Sequence, residues 1–150
     1  MAISSAICNS FKQEILVGTH NFTASSGNTF KLALFQSDAS LGASTTAYST
    51  SEEITNTSGT AYTAGGKTLT SVTPTSSGTT AYCDFSDVSW TSASFTANAA
   101  LIYNTTTGTG SSTTDSVCAV AFGGDKTVSS GTFTIQFPTA DASDAILRIA

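Results

Sequence analysis

The chain has 150 residues, of which 10% are charged, against about 25% in ordinary soluble domains. Roughly a third of it is Ser or Thr, so hydroxyls and amides must supply the solubility that charge usually provides, and little is left for acid–base chemistry. The net charge of −5 and a sequence pI near 4.4 argue against nucleic acid, which needs clustered cations. Lys12, Lys31, Lys67, Lys126 and Arg148 are the only cations, and they are scattered.

The length fits a single domain, 1–150, with a proper core. No apolar run approaches the roughly 18–20 residues of a membrane span. Met1 to Ala6 lack the basic and apolar regions of a secretory signal, which implies a cytoplasmic route. On that route the sequons at Asn21, Asn56 and Asn104 carry no glycan. Cys8, Cys83 and Cys118 are odd in number and lack CxxC spacing, so they read as reduced, packed thiols.

In chain order, Ile7, Phe11 and Ile15 share one helical face, and Ser10 with Gln13 resembles a capping box. Gly18 is a natural stop, so a short helix is expected over Ser10–Val17. Phe30–Gln36 reads as a strand. Residues 39–59 form a long polar loop anchored by Leu41, Tyr48 and Ile54, and loops of that length are usually functional. Lys67–Thr73 follows a Gly65-Gly66 turn as a strand, which Pro74 ends or places at an edge.

Tyr82–Trp90 has mixed faces, which predicts a bulge or bend between Phe85 and Val88. In Phe95–Tyr103 the residues Phe95, Ala97, Ala99, Leu101 and Tyr103 fall on one face. Asn104–Ser116 is a polar loop, Val117–Phe122 a buried-type strand and Gly123-Gly124-Asp125 a turn. Phe133, Ile135 and Phe137 alternate with Thr132, Thr134 and Gln136 as a half-buried strand. Ala145–Ala150 is a last strand. Short strands separated by turns predict an all-β antiparallel sandwich, jelly-roll or immunoglobulin-like, with one short N-terminal helix. Thr-Ala-Tyr recurs at 46–48, 60–62 and 80–82, but at unequal spacing, so it is a strand idiom and not a solenoid repeat.

Catalytic motifs are weak. His20 is the sole histidine and no Gly-x-Ser-x-Gly elbow accompanies it, so it reads as a hydrogen-bonded structural residue. Gly65-Gly66-Lys67-Thr68 matches the end of a phosphate-binding loop, but the required earlier glycine is Ala61 and a strand follows. Glu52-Glu53, Asp84 with Asp87, and Asp141 with Asp144 are carboxylate pairs of the kind glycosidases use. Their places in loops and turns suit solvated or capping roles better. Asp115, Asp125 and Asp141–Asp144 could contribute oxygen ligands to calcium, but no calcium motif is present. Trp90, Tyr48, Tyr62, Tyr82 and Tyr103 could form a sugar platform; at strand parity such rings are more often core. The expectation is no cofactor, no metal and no enzyme activity.

Four stretches carry a further likeness: Cys8–Leu16 followed by Gly18-Thr19-His20, Phe30–Leu34, Tyr62–Leu69 and Ser130–Pro138. Together they resemble a family of small virion structural proteins of tailed bacteriophages, cyanophages among them, and the likeness runs over most of the chain. The motifs that carry it are structural. The resemblance implies a capsid decoration, or cement, protein on the virion surface, assembled in the host cytoplasm. Its implied partners are the major capsid protein and copies of itself, as a trimer or dimer, without nucleic acid or membrane. A tail, neck or fibre-attachment component, or a carbohydrate-binding adsorption module, is the alternative. The contact surfaces expected from length and composition are the N-terminal segment (Ile3, Ile7, Phe11, Ile15, Leu16) and the long loop (Leu41, Tyr48, Ile54).

Overall fold

The computed structural model describes residues 2–54, 60–106 and 114–150. Part of the long loop, with Asn56, and part of the polar loop after Asn104 lie outside these residues. In chain order the elements are β1 (Ala6–Ile7), α1 (Asn9–Leu16), β2 (Phe30–Phe35), β3 (Lys67–Thr68), β4 (Ser71–Ser77), β5 (Thr80–Phe85), β6 (Val88–Asn104), β7 (Ser116–Ile135) and β8 (Leu147–Ile149). They build a five-stranded sheet, β1-β7-β6-β2-β3, and a three-stranded sheet, β4-β5-β8; every pairing between them is antiparallel. The expected all-β sandwich with one short helix is the observed architecture.

Around β2, the C-terminal part of β6 and the start of β7 the larger sheet is buried on both faces, which explains the near-continuous apolar run there. On β2, Phe30, Leu32 and Leu34 enter the core shared with Cys83, Phe85 and Leu147 of the smaller sheet. The opposite face, with Ala33, Phe35, Ala99, Leu101 and Tyr103, is covered by Ile3, Ala39, Leu41 and Tyr48. Residues 39–53 of the long loop are therefore a lid on the sheet. It is tied down by Ile3 pairing with Leu41, Phe35 with Glu53 and Ala47 with Asp115.

Several local expectations change. The helix starts one residue early, at Asn9, with Cys8 as its N-cap and no side-chain cap bond. Ser10 therefore lies inside the first turn and cannot form the expected capping box; its buried Oγ has no partner among the described residues. The C-terminal end is as expected: Gly18 takes φ +76°, and Thr19 and Gly18 donate to the carbonyls of Glu14 and Ile15, a Schellman closure.

Residues Lys67–Thr73 divide into two strands on different sheets. Pro74 lies within β4, an edge strand, at the irregularity between Val72 and Thr75, where its missing N–H costs no ladder bond. The bend expected after Phe85 is a change of sheet at Ser86-Asp87. Ala97 faces the inter-sheet core, whereas Ala99, Leu101 and Tyr103 face the lid, so Phe95–Tyr103 does not keep one face. The reason is a large bulge: Ala97 pairs with Lys126 and Ala99 with Ala121. Gly123-Gly124-Asp125 is thus looped out within β7 and is not a turn between strands. Gly123 and Gly124, at φ +72° and +142°, supply the backbone that the bulge requires.

Candidate functional site

His20 is held on both ring nitrogens. Nε2 lies 2.7 Å from Glu14 Oε2 and Nδ1 lies 3.0 Å from Asn104 Nδ2. Asn104 Oδ1 accepts from the Thr106 amide, which leaves its NH₂ to face His20. The Asn104 amide therefore donates to Nδ1, the ring proton sits on Nε2, and Glu14 accepts it. No ring nitrogen is left to take a proton from a substrate hydroxyl.

A second polar group centres on Glu53, which is 5% exposed although a solvated place in the loop was expected for it. Its Oε1 accepts from Tyr62 and the Gly65 amide at 2.6 and 2.7 Å, and its Oε2 from Tyr48 at 2.6 Å. Tyr103 donates to the Gly65 carbonyl and stacks on Tyr48 at 4.3 Å. Burial, followed by the nearby Glu53 charge, pushes the Tyr103 phenol up to about 12 and also raises Tyr48 and Tyr62. The group is an internal tie between lid and sheet: its oxygens already have partners.

Three of the other expected carboxylates, Asp84, Asp87 and Asp141, serve the backbone. Asp84 accepts from the Phe85 and Ile146 amides, and burial pushes its carboxyl up while those two bonds pull it down. Asp87 accepts from Phe137, and Asp141 from Ser143 and Asp144. Asp125 instead accepts from the Asn98 side-chain amide. The described residues bring no three His, Cys, Asp or Glu side chains together as a metal site. Trp90, Tyr62 and Tyr103 are buried, and Tyr48 and Tyr82 are half-buried in different places, so the five rings share no exposed face. Gly65-Gly66 is a turn leading into β3, closed by the Gly66 amide on the Thr63 carbonyl.

An apolar groove is the feature that remains open. It lies between α1 and the inner face of the smaller sheet, with a volume of about 360 Å³. Phe11 and Ile15 of α1 form one wall together with Ile7, which belongs to β1 and not to the helical face on which the sequence placed it. Ala81 and Cys83 of β5 and Leu147 and Ile149 of β8 form the other. Phe22 and Pro74 complete the lining; Lys12, Tyr82 and Arg148 are its polar members, and no Asp or Glu lines it. Leu16, Val17 and Ile149 are the most exposed large apolar side chains among the described residues, at 85, 75 and 62%; Leu16 and Val17 close α1 and Ile149 belongs to β8. A second cavity of about 450 Å³ shares Ile7 and Arg148 with the first.

The residues expected to meet partners separate into three places. Ile7, Phe11 and Ile15 line the groove and Leu16 is exposed at the helix end. Ile3, Leu41 and Tyr48 pack on the outer face of the larger sheet. Ile54 is buried in the inter-sheet core. Phe11, Leu41 and Ile54, each under 9% exposed, have little surface left to offer. Val17, Leu147, Ile149, Lys12 and Arg148 were not singled out; the adjacent Leu16-Val17, outside the helical stripe, was the available signal.

Among the described residues, no helix is long and apolar enough to cross a membrane. Comparison with protein-family models, curated proteins and solved structures returns no match for this chain.

Proposed function

We propose that the chain is a non-enzymatic virion structural protein of a tailed phage. In this reading it is a cement protein that binds the outer surface of the major capsid protein lattice and stabilises it. The observation that carries the reading is the open apolar groove with exposed Ile149 on its wall, together with exposed Leu16 and Val17 at the end of α1. Apolar surface left open on an otherwise hydroxyl-rich protein marks an interaction site.

Two further features support it. Scarce charge lets many copies pack side by side without strong mutual repulsion. Repeated attachment to a lattice multiplies modest single-site affinities, so one short groove per copy suffices, with trimer or dimer contacts adding to it. The resemblance of Cys8–Leu16, Phe30–Leu34, Tyr62–Leu69 and Ser130–Pro138 to phage virion proteins points the same way.

Quantitative mass spectrometry of purified particles tests the reading. Copies in the hundreds per particle are expected. A dozen or fewer would move the chain to the tail or neck, and absence from particles would overturn the virion assignment altogether.

A further inference from the structure

We propose that the groove takes an extended, apolar, carboxylate-bearing segment of the shell protein, added as a strand along the free edge of β8. This deepens the cement-protein reading and rests on it. Three observations carry it.

The first is the sheet edge. β8 spans only Leu147–Ile149 and, among the described residues, pairs with β5 alone; β1, the edge of the larger sheet, spans only Ala6–Ile7. A bare strand edge is a template for pairing with another chain.

The second is the course of the apolar surface. Leu147 and Ile149 are two residues apart and share a strand face, yet one is 7% and the other 62% exposed. Surface of core type therefore runs out of the sandwich uncovered. A single lipid chain could fill the groove but would leave the edge of β8 bare. An added strand covers the edge while its alternate side chains enter the groove.

The third is charge. Lys12 and Arg148 are two of the five cations in a chain of net charge −5, and both line a groove that has no acidic residue. Lys12 donates to Asn9 Oδ1, and Arg148 to the Ser143 and Ala142 carbonyls. Neither forms an ion pair among the described residues. A carboxylate on the incoming segment complements them and fixes its register.

The test places the photo-reactive residue p-benzoylphenylalanine at Ile149, or at exposed Thr132 as a control, in particles grown from the genome that carries this chain's gene. Crosslinks from position 149 are expected to map to one shell-protein segment rich in apolar residues and carrying Asp or Glu, with none from position 132. Arg148→Glu should lower occupancy about tenfold and Lys126→Glu less than about twofold, both with unchanged melting. If the chain is present in particles but position 149 links only to another copy, to lipid or to nothing, the groove proposal is overturned and the virion reading stands. If the unaltered chain is missing from particles, both fall.

Discussion

The Tyr62 hydroxyl donates to Glu53 Oε1 at 2.6 Å and at the same time accepts the Leu34 amide at 2.8 Å. One phenol thus joins the lid to β2 near its C-terminal end. Around it, Tyr48 and the Gly65 amide complete the Glu53 carboxylate, so a charge that burial would otherwise penalise is fully hydrogen-bonded.

Tyr62→Phe should therefore cost more than its single lost oxygen suggests. It removes a donor from Glu53 and an acceptor from the Leu34 amide, and a loss of about 2–3 kcal/mol is expected. Urea unfolding with an unchanged m-value checks this; a loss below about 0.5 kcal/mol would show that the tie is slack.

Alkali should loosen the same tie. The folded-state pKa of Tyr103 is raised from 10.0 to about 12, and Tyr48 and Tyr62 shift the same way. Between those values the folded chain holds more protons than the unfolded one, so stability falls as pH rises. Stability is expected to be fully present below pH 10 and to be lost progressively as pH climbs through 12. Denaturation midpoints measured across that range, with Tyr103→Phe showing a shallower fall, provide the check.

Gly66 and Gly78 separate two costs. Both take positive φ, +73° and +59°, but a methyl on Gly66 would lie 1.8 Å from the Leu32 carbonyl oxygen, whereas one on Gly78 meets nothing within 4 Å. Gly78→Ala should cost about 1 kcal/mol for the conformation alone. Gly66→Ala adds a backbone clash and should cost at least about 2 kcal/mol more. Equal melting temperatures for the two variants would contradict this account.

The thiols should be silent in the native protein. Burial pushes Cys83 and Cys118 up to about 12 and raises Cys8, and the thiolate is the reactive form. Iodoacetamide at pH 8 should label them only after unfolding. Rapid native labelling of Cys83, which borders the groove, would mean that α1 detaches readily from the smaller sheet.

Local chemistry made part of the fold legible. The Gly18 stop, the apolar run Phe30–Phe35 and the alternation through Phe133, Ile135 and Phe137 each report the environment of their own residues. What stayed hidden depends on partners distant in sequence. Gly123-Gly124 has the composition of a turn, yet β7 continues because Lys126, Thr127 and Val128 pair with Ala97, Thr96 and Phe95. Glu53 reads as a solvated loop residue until Tyr48, Tyr62 and Gly65 converge on it. The groove was half legible: its helical wall follows a periodicity, while the β8 wall depends on which sheet the last strand joins.

The bulge in β7 makes this molecule tolerant of added chain. Phe122 to Asp125 stand opposite Asn98 alone, with matched pairs on either side, and Asn98 clips Asp125 at 2.8 Å. A peptide spliced between Gly123 and Gly124, where an added methyl meets no neighbour within 4 Å, would lengthen the looped-out segment without shifting either half of the ladder. That position is the natural place to graft an epitope or a fluorophore tag, and neither residue lines the groove.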